Sequence, residues 1–184
     1  MGMTISDGIS KRKSTRAYLD RPVATDAVDQ VVEAGRWAPN AGPFHLTVLR
    51  RPELLRRLND ATHEAMMASG VEFLRMRASL PGYQPLYGAP VAILASGPAD
   101  GPYTPMNCAL AAGHMVLQAT ELDLASCFIV TPGRALAADP ALVKEVGLPD
   151  GYTFQCAVLL GHRAATDPYS NPERVRKGTV SYID

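Results

Sequence analysis

Lys11, Arg12, Lys13, Ser14, Thr15 and Arg16 place four cations and two hydroxyls in six consecutive positions. Guanidinium, ammonium and hydroxyl groups gathered this closely suit a phosphate or another anionic edge of a ligand. The same run, taken alone, also reads as a solvated basic stretch. A second basic group, Arg174, Arg176 and Lys177, lies near the other end of the chain. Other chemistry-bearing patterns are missing: there is no G-x-S-x-G elbow, no Walker loop and no G-x-G-x-x-G after a strand. His45, His63, His114 and His162 show no metal-ligand spacing with cysteine or with one another. Cys108 and His114 stand six apart, which on a helix points them in different directions and argues against a thiol–imidazole pair.

The Pro- and Tyr-rich stretch 79–90 excludes regular structure and supports two readings. In one, Tyr83, Gln84 and Tyr87 overhang a flat ligand and shape a substrate pocket. In the other, the tyrosines pack a surface loop. Met66, Met67, Met76 and Met115 read as core, as do the thiols Cys127 and Cys156 in predicted strands. His114, Gln118 and Glu121 form a polar stripe of structural hydrogen bonds.

Positioning these groups falls to a mixed set of elements. Residues 25–37 predict an amphipathic helix with Thr25 at the N-cap and Pro39 beyond its end. Leu46–Leu49 has strand length, and Pro52 opens a long helix with Leu54, Leu55, Leu58, Ala61, Thr62, Ala65 and Met66 inward. Val91–Ala95 is apolar without alternation, as in a strand buried on both faces. Asn107–Leu122 is apolar almost all round, marking a helix at the core centre or at an interface. Further strands are expected at Ser126–Val130, Phe154–Leu160 and Val180–Ile183, with a short helix at Ala141–Val146. Two helices precede the first convincing strand, so the expected fold is α+β: one layered domain over residues 1–184, with a sheet of four or five strands flanked by helices.

Eighteen basic side chains balance eighteen acidic ones, so no net field favours nucleic acid. No apolar run reaches membrane-spanning length, the N-terminal stretch lacks a signal-peptide core, and three well-separated cysteines fit a reducing, cytoplasmic setting.

Taken in order, these pieces resemble the FMN-dependent nitroreductase family. Arg12–Arg16 matches that family's Arg-x-Ser-x-Arg/Lys stretch, and Gly35–Gly42 matches its Ala-Pro-containing helix end. The Ala-rich helix, Leu124–Ile129, Gly147–Tyr152, Leu160–Arg163 and Arg176-Lys177 follow in the family's order. The resemblance implies a homodimer with two flavin mononucleotide (FMN) sites at the interface, each lined by both chains. Arg12, Lys13, Ser14 and Arg16 are implied to contact the FMN phosphate, ribityl chain and anionic pyrimidine edge. Arg176 or Lys177 is implied to reach the phosphate. Pro39, Asn40, Ala41 and Gly42 are implied to run beside the ring, with Thr131 and Gly133 near N5; on the pocket reading of the 79–90 loop, Phe44, Tyr83 and Tyr87 are the substrate-pocket candidates. The implied reaction passes hydride from NADH or NADPH through the flavin to a nitroaromatic, quinone or similar acceptor. Such a scheme needs no side-chain acid or base, in keeping with the absence of a triad. Two alternatives stay open: non-catalytic flavin storage or sensing, and a protein electron donor in place of the nicotinamide. One departure is visible. Many family members continue with Asn-x-Gln-Pro-Trp, whose Asn bonds the flavin, whereas this chain goes directly to Gly42-Pro43-Phe44-His45, leaving Asn40 as the candidate replacement.

Overall fold

The apolar runs around residues 46, 91, 126 and 154 pair into one antiparallel sheet in the computed structural model, which describes residues 2–170 and 178–183. In chain order the elements are α1 (Ile5–Lys11), α2 (Thr25–Arg36), β1 (His45–Leu49), α3 (Pro52–Met67), α4 (Glu72–Ala78), β2 (Val91–Pro98), α5 (Thr104–Glu121), β3 (Ala125–Ile129), α6 (Pro132–Ala138), α7 (Pro140–Glu145) and β4 (Tyr152–Gly161). The strand order is β1-β2-β4-β3, with Thr47 opposite Leu94, Ile93 opposite Val158 and Cys127 opposite Leu159.

Helices cover both faces, which is why the central strands are apolar without alternation. Val91, Ile93, Ala95, Cys156 and Val158 point toward α2 and α5, packing with Val28, Val31, Cys108, Ala112 and Met115. Their neighbours Ala92, Leu94, Cys127, Ala157 and Leu159 point the other way, onto Leu54, Leu55 and Leu58 of α3, Leu136 of α6 and Leu142 of α7. The α+β layered expectation holds, with four strands. The segment expected as a fifth is not paired: Val180, Tyr182 and Ile183 are 74%, 88% and 96% exposed and lie outside any strand. β-Branched composition alone makes no strand where no edge partner is in reach.

Element ends differ from the expected ones for local reasons. Thr25 is the first helical residue of α2 and Ala24 its cap; the Thr25 hydroxyl instead accepts from Arg50 Nη1 at 2.9 Å. The seven-residue α1 is secured by a capping box between Thr4 and Asp7. No helix of the described residues is long and apolar enough to cross a membrane.

All three cysteines are free and buried. Burial pushes Cys108 from 9.0 up to about 11 and Cys156 up to about 12. The folded chain therefore keeps these thiols protonated where the unfolded chain has lost the proton. Below pH 9.0 they contribute no pH dependence; above it, stability falls as the pH climbs toward 11 and 12. We expect a urea midpoint that declines over this window, and no labelling of native thiols by Ellman's reagent below it. Prompt native labelling would show that the core admits the reagent.

Candidate functional site

The basic segment leaves α1 at Arg12 and runs extended along the free edge of β3. Ser14 bridges Ser126, and the Thr15 N–H donates to the Ser126 carbonyl at 2.9 Å. Successive side chains of extended backbone alternate in direction, and the segment splits accordingly. Arg12 Nη1 donates to Ser14 Oγ at 3.4 Å, and the Arg12, Ser14 and Arg16 side chains all lie close enough to influence the Cys127 thiol on β3. Burial raises that thiol, and the Arg16 and Arg12 guanidiniums with the Ser14 hydroxyl pull it back down. Lys13 faces the other way, into a separate cleft of about 590 Å³ shared with Lys11, Glu121, Asp123, His162 and Arg163. Of the expected cation set, the structure thus gathers Arg12, Ser14 and Arg16 and separates Lys13. Arg176 and Lys177 lie outside the described residues.

A turn of the C-terminal strap sits over this cradle. Asp167 Oδ2 accepts the Arg16 N–H at 2.8 Å, Oδ1 accepts the Tyr169 and Ser170 N–H groups, and Ser170 Oγ donates to the Ser14 carbonyl at 2.8 Å. Partial burial opposes ionisation of Asp167, but these donors, Ser170 first, outweigh it and hold the carboxyl below its ordinary range. Beneath, burial pushes the Tyr18 phenol well above its usual range, and its hydroxyl has no hydrogen-bond partner among the described residues.

The 39–43 loop lies at the far end of the sheet. Asn107, 3% exposed at the start of α5, holds it from below: Oδ1 accepts the Ala41 N–H at 2.9 Å and Nδ2 donates to the Gly42 carbonyl at 3.3 Å. Gly42 adopts φ 128°, which a side chain disfavours, so the turn depends on glycine. Asn40 donates to the Ala38 carbonyl at 3.3 Å, and Pro39, Asn40, Ala41 and Gly42 are exposed. Phe44 packs against the α2–α5 core. Thr131 and Gly133 open α6; a Cβ on Gly133 would come within 3.1 Å of the Phe154 ring. From Ser126 to Thr131 the chain advances roughly 15 Å.

The 79–90 loop is packed by its own aromatics. Tyr83 is 7% exposed, edge-on to Tyr87 and Tyr169 at 5.8 and 5.5 Å, with the Arg77 guanidinium 5.4 Å from its ring centroid. Tyr87 takes the left-handed backbone (φ 53°) and packs beside Tyr18 on the core under β3, so the loop abuts the cradle.

Asn107, Asp167 and Ser170 were not singled out in the sequence. Asn107 does carry a signal, as an amide in an otherwise apolar helix. Asp167-Pro-Tyr-Ser170 reads as a turn, although nothing local says what that turn touches. Among the described residues, no group of three His, Cys, Asp or Glu side chains is placed to hold a metal.

Residues 9–162 match the model of the nitroreductase family. An FMN-bound nitroreductase of Bacteroides fragilis is 28% identical, covers 98% of each chain and superimposes with a TM-score of 0.85. An FMN-bound nitroreductase of Desulfitobacterium hafniense, 24% identical with 98% of each chain covered, gives 0.87. A protein of Archaeoglobus fulgidus, provisionally named as an NADH dehydrogenase/NAD(P)H nitroreductase, is 24% identical over 92% of this chain and 94% of its own. With the family model matching residues 9–162, most of its length, the chain belongs to the nitroreductase family.

Proposed function

We propose that this protein is an FMN-dependent NAD(P)H oxidoreductase acting on small electron acceptors, as a homodimer with FMN at the interface. The observation that carries the reading is the extended segment pinned along β3, which sets Arg12, Ser14 and Arg16 at alternating positions beside Cys127, with Arg12 donating to Ser14. This donor set fits the flavin: two guanidiniums and a hydroxyl match a phosphate and an anionic ring edge, and the nearby Asp167 carboxylate is already occupied by its own donors. Arg176 and Lys177 are the proposed further phosphate contacts. When bound, FMN supplies the redox chemistry, taking hydride from NADH or NADPH and passing reducing equivalents to a nitroaromatic, quinone or similar acceptor.

The chain's own residues bind, orient and exclude water. Arg12, Ser14 and Arg16 hold the anionic groups. Asn107 keeps the Pro39–Gly42 loop in place for the ring, Thr131 and Gly133 offer backbone at its opposite edge, and Tyr87 bounds the acceptor side. Lys13 contributes charge from the neighbouring cleft.

Dimerisation follows from where these pieces sit. Cradle and loop lie near opposite ends of α5, an 18-residue helix about 27 Å long. One copy cannot bring both to one ligand, but two copies of α5 packed antiparallel set the start of one beside the end of the other. The outer face of α5 suits this role, with Met106 and Leu110 56% and 46% exposed and with Trp37, Phe128 and Val130 also uncovered. Buried free thiols fit a cytoplasmic setting.

The test is a visible absorption spectrum of the purified protein, followed by anaerobic NADH and then NADPH. Bleaching of a flavin spectrum by either nicotinamide is the expected result. Flavin that resists both points to a protein donor or to storage; protein that cannot be loaded with FMN overturns the proposal.

A further inference from the structure

We propose that Asp167 is a positioning residue for FMN, which keeps the Arg16 guanidinium available to the ligand by gripping the Arg16 backbone instead of its side chain. This rests on the function proposed above. A carboxylate this close to an arginine ordinarily forms a bidentate ion pair, which would spend the cation. Here both oxygens of Asp167 are engaged by other donors: Oδ2 by the Arg16 N–H at 2.8 Å and by a share of the single Ser170 hydroxyl proton, which also reaches the Ser14 carbonyl, and Oδ1 by the Tyr169 N–H at 3.2 Å and the Ser170 N–H at 3.0 Å. The Arg16 side chain makes no ion pair among the described residues.

The same turn fixes the cradle at a second point and is itself anchored. Ser170 Oγ reaches the Ser14 carbonyl at 2.8 Å, so the backbone on both sides of Thr15 is tied down. On its other side Tyr169 donates to the Pro81 carbonyl at 3.1 Å and packs on Tyr83, with the Arg77 guanidinium 5.5 Å from its ring centroid. Asp167 therefore links the cradle to the tyrosine loop that abuts it, and sets the direction in which Ser14 and Arg16 project. A hydrogen-bonded backbone holds a long side chain's starting point, which matters where a misplaced cation loses its contact.

Asp167→Asn separates positioning from folding. An Asn amide oxygen still accepts the Tyr169 and Ser170 N–H groups, as in an ordinary Asx turn, whereas its NH2 faces the Arg16 N–H and cannot accept from it. Melting of the FMN-free protein is expected to change little. The Kd for FMN, measured by fluorescence quenching, is expected to rise about 10-fold, the size of one lost charge-assisted contact. The bound flavin is expected to become harder to reduce as Arg16 swings away. Ser170→Ala, which removes the shared hydroxyl contact to Asp167 and Ser14 but leaves the Arg16 N–H bond in place, is expected to raise Kd less than Asp167→Asn does, by about 3-fold. An Asp167→Asn protein that binds FMN at wild-type strength and unchanged potential overturns the inference, leaving Asp167 as a turn former. Should Asp167→Asn fail to fold, Ser170→Ala decides: a Kd raised as much as by removal of Arg16 would contradict the assignment to Asp167. Wild-type protein that takes up no FMN overturns the functional proposal as well.

Discussion

Replacing Arg12 and Arg16 together by alanine is expected to give a folded chain that no longer retains FMN through purification. Neither side chain belongs to a core cluster: both are half-buried at the rim of the β3 edge, and the cores below are apolar and intact without them. Loss of one charge-assisted hydrogen bond costs about 1.5 to 3 kcal/mol. Two such losses raise the Kd roughly 100- to 10,000-fold, with the upper figure reduced if the two cations share one ligand group. Lys13→Ala provides the internal control. Its ammonium opens into the cleft with Lys11, His162 and Arg163, so its removal changes only the long-range field and is expected to alter Kd by a few-fold, more at low salt than at high. Fluorescence titration of apo-protein at two ionic strengths measures all three. A Lys13 effect as large as that of Arg16 at high salt would contradict the alternation of side chains along the segment.

That alternation shows where sequence reading stops. Composition marks residues 11–16 as a ligand-directed run, but the partition of its members between two sides follows from the pairing of Ser14 with Ser126, which no local pattern announces. Periodicity located α2 and α3, each of which buries one face, and short apolar runs located the four strands to within a few residues. Periodicity missed α1, α4 and α6, which are seven residues each and too short for a period to register. The nearly all-apolar helix had two readings, core or interface; Cys108, Ala112 and Met115 are wholly buried, as the core reading expects, while Met106 and Leu110 are open to solvent and leave a face for the proposed dimer. Tyr83 illustrates the reverse case. A Pro- and Tyr-rich loop looks like a pocket wall, yet its ring is enclosed by Tyr87, Tyr169 and Arg77, the last two contributed from outside the loop. Asp167 is legible as a turn former and illegible as a partner of Arg16, since 151 positions separate the two.

The largest effect from a single substitution is expected at Leu110. Its side chain is 46% exposed on α5 and belongs to none of the core clusters. In an isolated chain, Leu110→Glu is therefore a surface change, within about 0.5 kcal/mol of neutral. In a two-fold dimer packed through this face the consequence is different. Ala109 and Gly113 are small and exposed beside it, which lets two helix backbones approach closely and leaves no room for water around a carboxylate. An unpaired charge buried there costs roughly 3 to 5 kcal/mol, and symmetry presents the substitution twice. The dimer dissociation constant is then expected to rise at least about 1,000-fold. Sedimentation velocity should find the variant as a monomer at concentrations where the parent is a dimer. Because cradle and loop lie near opposite ends of α5, the monomer should also release FMN although every cradle residue is intact. Apo-monomer that keeps the parent's circular dichroism and urea midpoint would tie flavin loss to the missing partner. A Leu110→Glu protein that stays dimeric with FMN bound would move the interface to another face, and a monomeric variant with full FMN affinity would mean that one chain suffices for the site.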